Sequence, residues 1–123
     1  MSSIKYDSAV TSLLDALPEF AGSGAEWSRD LPYDVYGEFA AYVAKLITGE
    51  TEQNRSRLER AFGFINTLAE NGDESVVNLL QVTVLEVLTD TPASVSTARA
   101  MLDAKPREWF EAMVAGWLKP GNS

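Results

Sequence analysis

The sequence contains no cysteine and no histidine among its 123 residues. The lack of cysteine excludes disulfide bonds and thiolate chemistry, and it is typical of proteins from a reducing cytoplasm. The lack of histidine removes the usual general base near neutral pH and, together with the lack of cysteine, the usual zinc ligands. We therefore expect a cytoplasmic protein without zinc and without histidine- or cysteine-dependent catalysis.

Basic residues are fewer than acidic ones. The chain contains 10 lysines and arginines and 18 aspartates and glutamates, so its net charge is −8. Such a balance argues against binding nucleic acid through its phosphates. It favours either a partner with a basic surface or simple solubility, and solubility is the more common reason.

Long apolar runs are absent too, because no uninterrupted apolar segment approaches the ~20 residues of a membrane span. The first residues, MSSIKYDSAV, lack the basic region and apolar core of a signal peptide. We expect no membrane association. The length suits a single helical domain over residues 1–123 with a frayed tail at 120–123.

Motifs that carry chemistry are missing as well. The chain has no glycine-rich phosphate loop, no calcium-binding loop and no Glu-x-x-His. Asp34 and Glu38 stand at i and i+4, a spacing that could bind Mg²⁺ but more often marks a solvated helix face. We therefore expect no enzymatic activity, no metal and no cofactor.

The densest apolar run is residues 73–89, DESVVNLLQVTVLEVLT, where nine of seventeen residues are aliphatic. Its apolar positions do not alternate, and Asn71-Gly72-Asp73 combines a helix C-cap with an N-cap. The spacing predicts a helix with one buried face. That face comprises Val76, Val77, Leu79, Leu80, Val84, Val87 and Leu88.

Five further segments show helical spacing or helix-starting residues. They are residues 4–17, 32–48, 51–70, a short helix opened by Thr91-Pro92, and 106–118. Pro18 is expected to end the first of them, and residues 19–31 read as a surface loop. The fold class is therefore all-α, with about six helices in an irregular bundle or short solenoid-like array around a central helix at 73–89.

One candidate partner surface is the acidic segment before and within the second helix. It also contains Trp27 and Tyr33, and acids around an aromatic anchor are a combination suited to a tight interface. The candidate residues are Glu26, Trp27, Asp30, Asp34 and Glu38. The alternative is that Trp27 covers the core and the acids are merely solvated, and the sequence leaves both open.

A second candidate surface is the less apolar side of residues 73–89. Glu86 stands within VTVLEVLT, and a carboxylate among aliphatic residues needs a partner or an edge position. It could bond to a neighbouring helix through Arg99 or Arg107. Alternatively, it could face a basic group of a partner, together with Asn78, Gln81, Val82 and Leu85.

Four strings of the sequence resemble a known group of proteins. They are LPEF at 17–20, PYDVYGEFAAYV at 32–43, FGFINTLAENGDESVVNLLQVTVLEVL at 62–88 and PREWFEAMVAGWL at 106–118. The chain resembles an uncharacterised bacterial family of small acidic helical proteins. Some members are similar to immunity proteins encoded beside secreted toxins.

The resemblance implies a cytoplasmic inhibitor, monomeric or weakly dimeric, that blocks the active site or substrate entry of a cognate toxin with a basic surface. An alternative is a helical adaptor or scaffold that acts through homo- or hetero-oligomerisation. A third hypothesis is a small-molecule sensor with a pocket among Trp109, Phe110 and Trp117.

Overall fold

The six predicted helices are all present in the computed structural model, which describes residues 4–21, 31–49 and 52–118. The all-α fold class is thus confirmed. In chain order the elements are a 3-10 turn (Tyr6–Ser8), α1 (Ala9–Ala16), α2 (Pro18–Ala21), α3 (Pro32–Thr48), α4 (Glu52–Asn71), α5 (Glu74–Leu80), a π-helical turn (Gln81–Leu85), α6 (Glu86–Leu88), α7 (Pro92–Met101) and α8 (Ala104–Leu118). We call the continuous run of α5, the π turn and α6 the central helix.

The core lies between α3 and the central helix. α3 contacts the central helix, α1, α4 and α7, and it buries Tyr36, Phe39, Ala40 and Val43 completely. The predicted buried face of the central helix is confirmed. Val76, Leu79, Leu80, Val84 and Leu88 have no exposed surface, and Val77 and Val87 are half-buried at its margins.

The turn between α4 and the central helix follows the predicted cap chemistry. A Cβ atom on Gly72 would lie 2.6 Å from the Leu68 carbonyl oxygen and 2.6 Å from Val76 Cγ1, so this position requires glycine. Asp73 is the N-cap of α5, and its Oδ1 accepts a hydrogen bond from the Val76 N–H at 2.9 Å. The two helices therefore form the predicted hairpin.

The first predicted helix begins later than its apolar spacing suggests. Ile4 is extended and forms an isolated parallel bridge with Gly72. The Ile4 N–H donates to the Asn71 carbonyl at 2.8 Å, and the Asp73 N–H donates to the Ile4 carbonyl at 2.9 Å. Backbone groups left free at the end of α4 thus find partners in Ile4 rather than in water. Helix α1 starts only at Ala9.

Asp73→Ala is expected to lower the free energy of unfolding by about 1–2 kcal/mol, the upper range for loss of a helix N-cap. The loss should be high because Asp73 Oδ2 also accepts from the Tyr6 N–H at 3.2 Å, which ties down the N-terminal segment. Urea denaturation gives the measurement, and Glu74→Ala, at the exposed neighbouring position, is the control. Equal stability of the two variants would contradict the double role of Asp73.

The predicted loop at 19–31 is wrong at its beginning. Pro18 does not only follow the end of α1; it also starts α2, where its fixed φ suits a first helical position. This short helix buries Phe20, whose ring centroid lies 5.7 Å from that of Phe39 and 5.3 Å from that of Tyr42. Residues 22–30 of the predicted loop lie outside the described residues.

Two further helix starts can be compared with their predictions. Thr91 caps α7 as expected, since its Oγ1 accepts from the Ser94 N–H at 3.2 Å. Helix α8 starts at Ala104 rather than at Pro106. Proline is tolerated anywhere in the first turn, because the N–H groups there have no intrahelical partner.

The π turn changes which residues of the central helix are exposed. The Glu86 N–H donates to the Gln81 carbonyl five residues earlier, and the buried Thr83 Oγ1 donates to the Leu79 carbonyl at 2.6 Å. More residues fit into such a turn, so side chains after it lag behind the α-helical register. Leu85 is therefore fully buried. The prediction that Leu85 lies on a partner-facing surface with Val82 is therefore wrong.

Two tyrosines of α3 differ in how their hydroxyl groups are satisfied. Tyr36 Oη donates to the buried Ala9 carbonyl at 2.8 Å, and burial raises the pKa of this phenol above its ordinary value. The hydroxyl of Tyr42 is buried without a hydrogen-bond partner among the described residues.

We expect Tyr36→Phe to cost about 1 kcal/mol of stability and Tyr42→Phe less than about 0.5 kcal/mol, because only the first substitution removes a hydrogen bond. Thermal unfolding measures both, and a larger loss for Tyr42→Phe would contradict this assignment.

Candidate partner-binding surface

The predicted acidic surface is only partly described by the structure. Glu26, Trp27 and Asp30 fall on residues 22–30, outside the described ranges, so both interpretations of Trp27 stay open. Asp34 and Glu38 lie on the exposed side of the first turns of α3.

Two apolar side chains at the start of α3 are exposed, and neither is among the candidate residues predicted from the sequence. Leu31 is 52% exposed and Tyr33 is 42% exposed, on either side of the buried Pro32. The spacing of three residues between Tyr33 and the buried Tyr36 is typical of a shared buried face, so it gives no signal of this exposure.

A hydrogen bond joins this end of α3 to the central helix. Asn78 Nδ2 donates to Tyr33 Oη at 2.9 Å, and the Tyr6 ring centroid lies 6.3 Å from that of Tyr33. Glu74 and Ser75 line the same shallow depression. The two surfaces that were predicted separately, one with Asp34 and one with Asn78, thus meet at Tyr33. We call Leu31, Tyr33, Asp34, Glu38 and Asn78 the Tyr33 surface.

From Asn78 an exposed row continues along the central helix through Val82 and Glu86, each four residues further on. Val82 is 43% exposed and, with Leu31 and Tyr33, is one of the three large apolar side chains exposed in the described ranges. Beside this row lies a groove of about 400 Å³ between the central helix and α8. It is lined by Gln81, Val82, Glu86, Ala112, Met113 and Gly116, and we call it the α8 groove.

Glu86 is exposed at the edge of the packed face of the central helix, and its role towards a partner stays a prediction. The bond suggested through Arg99 or Arg107 is wrong. Arg99 holds Glu111 through two hydrogen bonds of 2.8 and 3.0 Å, and Arg107 donates to the Arg99 carbonyl at 3.2 Å. Both arginines are thus engaged on the α7–α8 side of the molecule.

Two acids elsewhere in the described ranges, Glu111 and Glu19, have basic partners. The hydrogen bond from Arg99 lowers the pKa of Glu111. Burial alone would raise the pKa of Glu19, but a 2.8 Å hydrogen bond from Arg60 brings it below its ordinary value. Residues 31–44 and 73–90 differ, because together they contain six acids and no base. These two segments therefore carry a net negative charge, and the next base along α3 is the exposed Lys45 in its last turn.

The third hypothesis, a ligand pocket among Trp109, Phe110 and Trp117, gains no support. Phe110 is fully buried in the core, so it cannot line an open pocket. A cavity of about 490 Å³ does lie nearby, and among the described residues of α8 it is lined by Val114 alone. The side chain of Trp117 lies outside the described residues.

Within the described ranges, no helix is both long and apolar enough to cross a bilayer. The same ranges contain no group of three or more acidic side chains placed to hold a metal ion.

A model of one protein family matches residues 10–117, from the start of α1 to the last turn of α8. The chain belongs to this family. It is described as a domain of unknown function, DUF7674. The DUF7674 match covers both the Tyr33 surface and the α8 groove. No curated protein matches the chain, and no solved structure matches it.

Proposed function

We propose that this protein is an inhibitor that neutralises a cognate toxin by binding a basic surface of it through the Tyr33 surface. The observation that carries the proposal is the 2.9 Å hydrogen bond between Asn78 and Tyr33. It fixes an exposed aromatic side chain where α3 meets the central helix, between two segments, 31–44 and 73–90, that contain acids and no base.

Such a surface combines the two contributions that strong complexes use. Aromatic side chains near the centre of an interface supply much of the binding energy once they are desolvated. Charges around them accelerate association with a partner of opposite sign. Tyr33 and Leu31 provide the first contribution, and Asp34 and Glu38 provide the second.

Inhibition requires no chemistry from this chain, because occupying an active site or its entrance is sufficient. Toxins that act on polyanionic substrates, such as nucleases, have basic clefts that an acidic inhibitor can fill. This is the class of partner that the charge of the surface fits best.

The alternative, a scaffold formed by self-association, is less favoured by the same charges. A twofold dimer brings the same surface of two copies together. The faces at 31–44 and 73–90 would then oppose acids to acids, and no base on either face could compensate them.

The test is coexpression with the toxic domain of a secreted protein encoded beside this gene, followed by growth measurement and size-exclusion chromatography. We expect restored growth and a one-to-one complex. Failure to protect and to form a complex with such a domain would overturn the proposal, as would a stable homodimer of the isolated chain formed through the Tyr33 surface.

The double charge reversal Asp34→Lys/Glu38→Lys is expected to slow association with the toxic domain by about tenfold or more at low salt, because steering charges act mainly on the on-rate. The reversal of two acids on α4, Glu59→Lys/Glu70→Lys, makes the same change in net charge elsewhere. Stopped-flow mixing at several salt concentrations measures both rates. Equal slowing by the two variants would show that only net charge matters.

A further inference from the structure

We propose that the α8 groove receives a basic amphipathic α-helix of the partner. This inference rests on the proposed function for the identity of the partner, and it adds which structural element of that partner binds and where.

The shape of the groove suits a helix. Its two walls are themselves helices, the central helix and α8, which contact each other at the π turn. A third helix can lie along such a trough and contact both walls, as helices in grooves do. Gly116 extends this space, because a Cβ atom added there would meet no atom within 4 Å.

The surface of the groove suits an apolar stripe. Val82 and Met113 offer apolar side chains, and methionine adapts its shape to varied partners. Ala112 and Gly116 stand one helical turn apart and add little bulk, so another helix can approach closely. The exposure of Val82, at 43%, leaves an apolar area that a partner would remove from water.

The charges select a basic helix. Glu86 is exposed at the edge of the groove, beside the polar Gln81. Residues 73–90 contain no base, and residues 108–118 of α8 contain two acids and no base. The bases of α8 outside that range are Arg107, which donates to the Arg99 carbonyl, and the exposed Lys105, two turns before Ala112. Lys119 lies outside the described residues. A lysine or arginine beside the apolar stripe of an incoming helix would therefore meet the Glu86 carboxylate without competition from a base among the residues that line the groove.

A second copy of this chain does not meet that requirement. An isologous contact would bring the Glu86 side chains of both copies to one interface. Neither the central helix nor residues 108–118 of α8 could supply a compensating base.

The experiment uses two synthetic helical peptides that share one leucine and alanine stripe and carry either lysine or glutamate at all polar positions. Their binding to the full chain is measured by isothermal titration calorimetry. Gly116→Leu fills the groove, whereas Gly63→Leu makes the same change at an exposed helical glycine of α4 that also has no atom within 4 Å of a built Cβ. Both substitutions favour the helix, so folding is retained.

We expect the lysine peptide to bind wild type and Gly63→Leu alike, with one-to-one stoichiometry. It should bind Gly116→Leu about tenfold more weakly or worse, and Glu86→Lys should weaken it similarly. The glutamate peptide should not bind. Absence of lysine-peptide binding would overturn the proposal. Binding that Gly116→Leu leaves unchanged would also overturn it, because it would show an unspecific attraction of the basic peptide to an acidic protein.

The two proposals fail in different ways. Neutralisation of a toxin is judged by growth, and it could succeed through the Tyr33 surface even if no peptide enters the α8 groove. Conversely, groove-dependent binding of the lysine peptide would stand if coexpression gave no protection.

Discussion

Leu85→Ala is expected to lower the free energy of unfolding by about 2–5 kcal/mol, the cost of removing a leucine side chain from a packed core. Leu85 has no exposed surface, because the π turn directs it into the core beside Val84. Leu80→Ala, on the predicted buried face of the same helix, should cost a similar amount. Urea denaturation with a common m-value gives the comparison.

Val82→Ala is the matched control, since Val82 lies three residues from Leu85 in the same π turn but is 43% exposed. Its substitution should change stability by about 0.5 kcal/mol or less. In an uninterrupted α-helix, Leu85 would project between Gln81 and Asn78, beside the exposed row. Comparable small losses for Leu85→Ala and Val82→Ala would therefore show that the central helix has the regular register.

The helices and the main buried face could be predicted because their signals are local. Apolar spacing alone identified the buried side of the central helix from Val76 to Leu88. Asp73 and Thr91 identified two helix starts, because an N-cap side chain bonds to backbone groups only three residues away. Such signals need no knowledge of how distant segments meet.

The features that the sequence did not predict depend on distant contacts or on a backbone irregularity. Ile4 pairs with Gly72 far along the chain, and Phe20 of α2 packs against Phe39 and Tyr42. Without those contacts, the pattern around Pro18 is that of a helix followed by a loop. The π turn has no characteristic residue type, so α-helical spacing predicts Leu85 on the exposed side of the central helix.

The candidate surface was predicted in two parts and could not be joined from the sequence. Asp34 and Asn78 were both selected, but nothing in their spacing indicates that Tyr33 and Asn78 form a hydrogen bond. The hydrogen-bond partners of Arg99 and Arg107 could not be predicted from the sequence either. Arg99 stood within reach of several acids in principle, and only the packing of α7 on α8 directs it to Glu111.

Tyr33→Ala is expected to weaken binding to the toxic domain by about 2 kcal/mol or more, mainly through a faster off-rate, as for an aromatic anchor at the centre of an interface. About thirtyfold faster dissociation corresponds to that loss, and surface plasmon resonance measures it directly. The fold should be retained, since the Tyr33 side chain is 42% exposed and its ring lies beside that of Tyr6, which is itself only partly buried.

Tyr33→Phe separates the ring from the hydroxyl. It keeps the apolar surface but loses the hydrogen bond with Asn78. Its loss of binding free energy should therefore be at most about 1 kcal/mol, smaller than the loss for Tyr33→Ala. If both variants lost affinity equally, the Asn78 bond would be the decisive contact. Binding of Tyr33→Ala at wild-type strength would instead place the anchor elsewhere. Trp27, a candidate residue of the predicted acidic segment, would then be the residue to substitute.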